Sequence, residues 1–505
     1  MVIKKLLFLR AWCVLLCCIP ALAQYNPDRI GEARSLYQSG KYGEAIDICR
    51  SVLAQSPASM PAYSCLVTSL LKRDDVTEAE QAARRALQLA PQSPIPHDLL
   101  GEVYYRQGML AEAQAEYKNA LVLGGALARA WWGLGRIASA SSMHKTAAKL
   151  YQSAYQLDPK DSDIFRSYSS ILDKKEKIAA LEKYLGASKP LQETVGKSPE
   201  AMAEGAHGDG KMWKLLSPYE KTEVGLENIY HSAHFIAGVG LPVSLNGSKP
   251  LVLLLDTGAS GILLTQKAAE RAGVKRVSAT EIPGIGDQGP VKGYWGLAEK
   301  VRVGNVEFRN CPVQVVEQNN VADDNGVIGA DVFSEFLVTI DIHRLILRLA
   351  PLPKREGEPD AEGRYDRTFS PDMKDFDRVF SYGHMLLIPT KVNKSEPLLF
   401  LLDTGAFVNY IDQDVARSWT SVQKESSVQA RGISGKVNQV FLTGVVMLNF
   451  GGFRQSNLGM VAIDMAPMSR HPGVEIAGIL GYTLLRELVM AIDYRDGLVK
   501  FTRSE

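Results

Sequence analysis

The C-terminal half of this 505-residue chain contains a duplicated sequence, which limits the folds it can adopt. LPVSLNGSKPLVLLLDTGAS begins at residue 241 and IPTKVNKSEPLLFLLDTGAF at residue 388, an offset of 388 − 241 = 147 with no gap. A second pair begins GVIGADVF at residue 326 and GILGYTLL at residue 478, an offset of 478 − 326 = 152. Both blocks consist of short apolar runs separated by turn residues, so we predict two similar β-rich lobes.

In each lobe the first block predicts a hairpin whose second, strongly apolar strand ends in Asp-Thr-Gly-Ala. This pattern resembles one lobe of a retropepsin-like aspartic protease, in the pepsin and retropepsin superfamily. The hydrophobic-hydrophobic-glycine element that the family has downstream corresponds to residues 327–329 and 479–481. The resemblance implies that the two lobes pair within one chain, as in pepsin-like relatives. Pairing of lobes between two chains is the alternative.

Asp256 and Asp403 occupy the equivalent positions of the two lobes and are the candidate catalytic residues. Two carboxyl groups that share one proton can act as general base and general acid in the hydrolysis of a peptide bond. In aspartic proteases the two carboxyl groups lie too close together for both to ionise. Neither a metal nor another cofactor is needed for this chemistry, and we predict none.

The residues next to the two aspartates are suited to supporting them. A glycine lets the backbone approach a carboxylate without a side-chain clash. By resemblance to the family, the threonine hydroxyls bond across the two lobes. The predicted supporting residues are Thr257, Gly258, Thr404 and Gly405.

Alanine follows the Asp-Thr-Gly sequence in both lobes, at Ala259 and Ala406. Many pepsin-like enzymes have a hydroxyl residue there, which favours the charged form of the carboxylate. We therefore expect a pH optimum that is weakly acidic to neutral.

A flap, here meaning a hairpin that closes over an extended substrate, is predicted between each aspartate and its downstream glycine. The candidate flap residues are Gly284 and Gly286 in lobe one and Gly432 in lobe two. Residues 284–289 also match a dinucleotide-binding fingerprint, but Pro290 and Gly293 argue against the helix that this motif must open.

The N-terminal third has a 34-residue period, which resembles the tetratricopeptide repeat. Positions 45, 79, 113 and 147 are alanine. One further position of each repeat, predicted to lie in a turn and here called the turn column, is occupied by Gly40, Asp74, Gly108 and Ser142. Gly101 and Gly135 are one period apart, and so are the tyrosines at 117 and 151. The resemblance implies an all-α solenoid that binds a protein or peptide; a structural spacer is the alternative.

The first 23 residues predict a secretory signal peptide. A basic start at Lys4 and Lys5 precedes an apolar run, and Ala21-Leu22-Ala23 is a cleavage signal. We expect an exported protein, periplasmic or secreted, with no membrane span after the signal is removed. A retained membrane anchor is the alternative, although the apolar run is shorter than the ~20 residues that a span requires.

The charges nearly cancel, with 57 Lys and Arg against 56 Asp and Glu, so no nucleic-acid partner is expected. Three cysteines remain after signal removal, and an odd number excludes a framework in which every cysteine is paired. Cys49 and Cys65 are predicted on adjacent helices, either as a disulfide or as buried thiols.

These features predict a multidomain chain: an all-α tetratricopeptide solenoid, then two mainly-β retropepsin-like lobes. The predicted boundaries are signal 1–23, helical domain 24–185, linker 186–228, lobe one 229–352, inter-lobe linker 353–380 and lobe two 381–505. The predicted function is an exported aspartic endopeptidase acting on a peptide or protein substrate. The alternative is an inactive scaffold that keeps the protease fold and binds partners.

Overall fold

The computed structural model describes residues 27–185 and 212–504, apart from 218–219, 233–234, 318–324, 356–364, 426–427, 429 and 471. Residues 1–23, the predicted signal peptide, therefore lie outside the described residues. The order of elements confirms the predicted fold class, because helical repeats precede two β-rich lobes.

Residues 27–185 form helices that pack as successive antiparallel pairs, with the first helices of neighbouring pairs in contact. This arrangement makes a solenoid with an inner layer of first helices. The helices are α1 (Pro27–Gln38), α2 (Tyr42–Gln55), α3 (Met60–Lys72), α4 (Val76–Leu89), α5 (Pro94–Arg106), α6 (Leu110–Leu123), α7 (Ala128–Ala140), α8 (His144–Leu157), α9 (Ser162–Ser169) and α10 (Lys174–Leu185).

The small residues at equivalent positions of the repeats lie where helices pack closely together. The four column alanines are at most 3% exposed. A Cβ atom on Gly101 would lie 2.6 Å from the Tyr117 ring, and one on Gly135 would lie 2.6 Å from the Tyr151 ring. Each glycine therefore makes room for the tyrosine of the same repeat. Cys49, Cys65 and Cys311 are free thiols.

Lobe one is built on a nine-stranded sheet in the order β1-β9-β6-β10-β5-β4-β8-β7, with β3 paired to β4. Its strands and those that follow it up to residue 351 are β1 (Lys214–Leu215), β2 (Thr222–Gly225), β3 (Glu227–Ser232), β4 (Phe235–Leu245), β5 (Leu251–Asp256), β6 (Ile262–Thr265), β7 (Lys275–Ile282), β8 (Val291–Val303), β9 (Val306–Val316), β10 (Gly326–Gly329), β11 (Phe336–Asp341) and β12 (Ile346–Pro351), with helix α11 at Gln266–Arg271.

Lobe two repeats this plan in a ten-stranded sheet, in which β15, β16 and β25 correspond to β4, β5 and β10. Its strands are β13 (Asp377–Arg378), β14 (Phe380–Tyr382), β15 (Met385–Val392), β16 (Leu398–Leu402), β17 (Tyr410–Asp412), β18 (Val422–Lys424), β19 (Arg431–Gly432), β20 (Gly435–Lys436), β21 (Phe441–Thr443), β22 (Val445–Phe450), β23 (Phe453–Leu458), β24 (Val461–Ile463), β25 (Gly478–Leu480), β26 (Leu488–Asp493) and β27 (Leu498–Arg503), and its helices are α12 (Gln413–Trp419), α13 (Ala466–Ser469) and α14 (Tyr482–Leu485).

A six-stranded sheet in the order β13-β27-β26-β11-β12-β2 joins the two lobes. At its centre β11 and β26 run antiparallel, with Leu337 opposite Asp493 and Asp341 opposite Val489. These strands come from the second duplicated block of each lobe, so the sheet continues across the pseudo-twofold axis. The lobes therefore pair within one chain.

Both predicted linkers need correction. Residues 212–228, placed in the first linker, include β2, which pairs with β12. Residues 365–380, placed in the inter-lobe linker, include β13, which pairs with β27, and β14, which pairs with β15. These strands are only two to four residues long, so no alternation of apolar and polar residues could reveal them.

The turn column of the solenoid forms the edge that contacts lobe two. All four of its residues have positive φ, at 78°, 66°, 75° and 55° in chain order, a conformation that favours glycine. The carboxylate of Asp74 accepts hydrogen bonds from Arg106 at 2.7 Å and from Arg470 of lobe two at 2.8 Å. A Cβ atom on Gly108 would lie 3.1 Å from Leu399 of lobe two, so this turn is in close contact with the lobe.

The segment after the first lobe, residues 365–367, also pairs with the solenoid. Tyr365 accepts a hydrogen bond from the His144 amide at 3.1 Å, and Arg367 donates its amide to Ser142 at 3.0 Å. Between them, the Asp366 carboxylate accepts from the amide and hydroxyl of Thr146 at 2.9 and 2.8 Å. The solenoid is thus bonded to the connection between the lobes as well as to lobe two.

Candidate active site

The apolar strands β5 and β16 deliver Asp256 and Asp403 to the centre of the molecule. β5 runs parallel to β10, with Asp256 opposite Gly329, and β16 runs parallel to β25, with Leu402 opposite Leu480. The backbone at Gly258 faces the Asp403 carboxyl group, and the backbone at Gly405 faces the Asp256 carboxyl group, so the two carboxyl groups lie close together. The structure therefore brings the two predicted catalytic residues together within one chain.

Two threonines fix the two turns to each other. The Thr257 amide donates to the Thr404 hydroxyl, and the Thr404 amide donates to the Thr257 hydroxyl, both at 3.1 Å. Each hydroxyl then donates to a carbonyl of the opposite lobe, Thr257 to Leu402 at 2.9 Å and Thr404 to Leu255 at 2.8 Å. Since both side chains are at most 1% exposed, these four bonds hold the lobes in register in a dry environment.

The glycines beside the aspartates make the close approach possible. A Cβ atom on Gly258 would lie 2.7 Å from the Cγ of Asp403, and one on Gly405 would lie 2.3 Å from an oxygen of Asp256. Each glycine amide also donates to the aspartate of its own lobe, at 2.7 Å for Gly258 and 2.9 Å for Gly405.

Burial governs the protonation of the pair. It raises the pKa of Asp256 well above its usual range, and the neighbouring charge of Asp403 raises this pKa further. Burial also raises the pKa of Asp403, against the opposing effects of hydrogen bonds from Asp256 and from the amides of Ala406 and Gly405. A pair in this situation retains one proton between its two carboxyl groups into the pH range where free carboxyl groups are ionised.

The predicted flap residues meet above the aspartates. Gly284 and Gly286 lie in the loop between β7 and β8, and Gly432 ends β19. The Ser434 amide donates to the Ile285 carbonyl at 2.9 Å, and the Gln288 amide donates to the Ser434 carbonyl at 2.9 Å. The two loops are therefore bonded tip to tip.

Our sequence analysis missed two polar residues of the site, Asp331 and His384. Ser260 donates to Asp331 at 2.8 Å, although the two residues are 71 positions apart. Burial raises the pKa of both Asp331 and Asp403, and the positive charge of His384, in the turn between β14 and β15, partly opposes this rise. The offset between the duplicated blocks aligns Asp331 of lobe one with Thr483 of lobe two. This difference between otherwise similar blocks could have pointed to Asp331 from the sequence alone.

Comparison with known proteins agrees with this geometry. The aspartyl protease family matches residues 241–332 and 388–484. Tetratricopeptide repeat families match residues 36–103 and 99–162. The chain therefore carries tetratricopeptide repeats followed by two retropepsin-like lobes of the aspartyl protease family.

Similarity to curated proteins is partial. The chain is 26% identical over 156 residues to Protein O-mannosyl-transferase TMTC1 of Mus musculus, covering 30% of this chain and 16% of that protein. The Homo sapiens protein of the same name is also 26% identical over 156 residues, which is 17% of its length. The chain thus matches about one sixth of the length of these relatives.

Two absences hold for the residues that the structure describes. Among their helices, none has both the length and the apolar character that crossing a bilayer requires. Their His, Cys, Asp and Glu side chains form no cluster of three or more that could hold a metal ion.

Proposed function

We propose that this protein is an exported aspartic endopeptidase that hydrolyses peptide bonds between Asp256 and Asp403. The observation that carries the proposal is the pair of adjoining carboxyl groups, with Asp403 buried and Asp256 half-buried, held by reciprocal bonds between Thr257 and Thr404. Membership of the aspartyl protease family in both lobes supports it.

In the proposed reaction, the ionised carboxylate of the pair takes a proton from a water molecule as that water attacks the peptide carbonyl carbon. The protonated carboxyl group gives its proton to the carbonyl oxygen, and a tetrahedral intermediate forms. The carboxyl group that took the water proton then gives it to the amine nitrogen, while the other carboxylate takes a proton from a hydroxyl of the intermediate. The C–N bond breaks to give the carboxylic acid and amine products, and the pair again holds one proton. No bond forms between enzyme and substrate, so no acyl-enzyme accumulates.

The raised pKa values of both aspartates support an optimum in weakly acidic to neutral solution. The pair loses activity when its shared proton is lost, and burial moves that loss to higher pH. Export to the periplasm or the medium is part of the proposal and depends on the signal-like residues 1–23.

We also propose that the solenoid binds a protein or peptide on its inner layer. Arg136 of α7 lies over the rings of Trp132 at 3.6 Å and Tyr105 at 3.9 Å, and it forms an ion pair with Glu102. Asp98 of α5, which is 6% exposed, has a carboxylate oxygen without a hydrogen-bond partner. These side chains are largely buried within the inner layer, so the proposal rests on the tetratricopeptide repeats that match residues 36–103 and 99–162, since such solenoids usually bind a protein or peptide.

The test is cleavage of a mixed peptide library from pH 3 to 8 by the full chain, by Asp256→Asn and by Asp403→Asn. We expect the wild type to cut and each variant to lose at least ~100-fold of the rate, since either change removes one partner of the pair. Asp375→Asn, which alters a carboxylate whose side chain is 65% exposed, is the matched control. A wild type that cuts no peptide at any pH would favour the inactive binding scaffold.

A further inference from the structure

The roof of the cleft is chemically the same over both lobes. Ile433, from the flap of lobe two, packs in an apolar cluster with Ala259 of lobe one. Ile285, from the flap of lobe one, packs in a cluster with Ala406 and Val408 of lobe two. Each flap thus contributes an isoleucine to an apolar cluster of the opposite lobe. Any chemical difference between the two halves of the cleft must come from the floor.

The floor of lobe one is polar. Ser260, the second residue after the Asp-Thr-Gly sequence, is exposed and donates its hydroxyl hydrogen to one oxygen of Asp331 at 2.8 Å. The other oxygen of Asp331 accepts from the Gly261 amide at 2.9 Å. Because the serine hydrogen points towards the carboxylate, the lone pairs of its oxygen are left for an outside donor. The half-buried carboxyl group of Asp331, whose pKa is raised by burial, lies directly behind that oxygen.

The floor of lobe two is aromatic. Phe407 occupies the position of Ser260 at the offset of 147, and Thr483 occupies that of Asp331 at the offset of 152. The half-buried Phe407 ring is stacked on Tyr482, with 6.0 Å between ring centroids and 23° between planes. The Thr483 amide donates to the Phe407 carbonyl at 3.0 Å, which fixes the backbone of the turn. An apolar ring in this half replaces the hydroxyl and carboxylate of the other half.

From these differences, and relying on the proposed peptidase function, we infer that the cleft selects different side chains on the two sides of the cleaved bond. The half formed by Ser260 and Asp331 takes a side chain with hydrogen-bond donors, above all lysine or arginine. The half formed by Phe407, whose ring is backed by the buried Tyr482, takes a large apolar side chain. The substrate class is therefore a peptide with a basic residue on one side of the cleaved bond and a bulky apolar residue on the other.

The test measures kcat/KM for peptides that vary one residue at a time on each side of the cleaved bond. We expect Asp331→Asn to lower the preference for lysine and arginine over their neutral isosteres about tenfold, without changing the preference on the other side. Ser260→Ala, which keeps the carboxylate, is expected to lower the same preference. Phe407→Ser is expected to lower the preference for large apolar residues on the opposite side, again about tenfold. Asp375→Asn, which removes an equal charge from the surface, is the control.

A second measurement separates this inference from the proposed function. Reduced-bond peptides, which cannot be cleaved, are titrated into the Asp256→Asn protein and into its combinations with Asp331→Asn and with Phe407→Ser. Binding that favours a basic residue on one side of the reduced bond and a large apolar residue on the other supports the inference even if the wild type cuts nothing. Cleavage or binding with the same side-chain preference on both sides would overturn it, as would preferences that the floor variants leave unchanged.

Discussion

Lobes one and two share the strand, the turn and the aspartate, yet they differ in what surrounds this common part. The residues on the pseudo-twofold axis are the same in both: each threonine bonds to the other, and each glycine faces the opposite carboxylate. Away from the axis, the solenoid contacts fall on lobe two and on the connection that leads to it. Symmetry is thus kept where one lobe must fit the other, and it is lost at the floor of the cleft and where lobe two contacts the solenoid.

The position of Glu475 shows how far lobe two has adapted to the solenoid. Its amide donates to the Arg106 carbonyl of α5 at 2.7 Å. Burial raises the pKa of its side chain to about 7, against the opposing charge of Arg106, while Asp412 and Asp74 raise it further. We therefore expect the contact between lobe two and the solenoid to be sensitive to pH.

The largest effect is expected where the two lobes are most alike. Gly258→Ala and Gly405→Ala each place a methyl group against the opposing aspartate, at 2.7 and 2.3 Å in the present backbone. The carboxyl groups must separate, so peptide cleavage should fall by ~10²–10⁴-fold in either variant. Gly225→Ala, where a Cβ atom meets nothing within 4 Å, should cleave normally. If only one of the two glycine variants lost cleavage activity, the two turns would not be equivalent.

A second test concerns the bonds across the axis. Thr257→Val and Thr404→Val each remove a buried hydroxyl that accepts one hydrogen bond and donates another. We expect either change to lower the free energy of unfolding by roughly 1–3 kcal/mol, because an amide and a carbonyl lose their partners. Denaturant unfolding measures this loss, and the serine variants should retain most of the stability. Serine variants as unstable as the valine variants would show that packing, not the hydroxyl, holds the lobes together.

The third test concerns a feature found in lobe two. The pKa of Glu475 rises from about 4.3 in the unfolded chain to about 7 in the folded one. Between these values the folded state binds more protons, so its stability falls as pH rises from about 4.3 to 7 and stays at the lower level above that. Glu475→Gln should remove this fall, so the variant should gain thermal stability relative to wild type between pH 5 and pH 8.

Thermal unfolding of the full chain across this pH range provides the measurement. Glu487→Gln, in the same lobe but with a side chain 65% exposed, is the matched control and should follow the wild type. If the melting temperatures of wild type and Glu475→Gln changed with pH in parallel, this carboxyl group would not be protonated at the contact with the solenoid.

The smallest effect is expected at His384, which belongs to lobe two but acts on carboxyl groups of both lobes. Its positive charge lowers the pKa of Asp403, so His384→Ala should raise that pKa. Since the two aspartates titrate as a pair, the whole pH profile of kcat/KM should move to higher pH. His343→Ala, an exposed histidine of lobe one, should leave the profile in place. A profile that moves to lower pH, or not at all, would contradict this assignment.

Much of the fold was predictable because its signals are local or repeated. The 34-residue columns predicted the solenoid, since each column position has the same packing role in every repeat. The duplicated blocks predicted two lobes, and the identical Asp-Thr-Gly sequences predicted that Asp256 and Asp403 are equivalent. The glycine-rich segments predicted loops at 284–286 and at 432, although not that the two loops would bond to each other.

The docking of the solenoid left a trace in the sequence that we did not interpret. Asp74 and Ser142 replace glycine in a column where every residue has positive φ. A non-glycine residue in that conformation is unfavourable unless it gains contacts elsewhere. Asp74 does so, because its carboxylate binds Arg470; Ser142 bonds Arg367 only through its backbone carbonyl, and nothing in the structure explains its side chain.

Local sequence thus decided which segments became helices, strands and tight turns, because backbone preference and apolar periodicity act over a few residues. Tertiary structure decided which distant groups meet: Ser260 with Asp331, Ile433 with Ala259, and Glu475 with Arg106. It also made strands of the short runs at 222–225 and 377–378, whose partners lie more than 100 residues away. Such pairings depend on the relative placement of whole lobes and on exclusion of water from their contacts, and no spacing within a single segment encodes either.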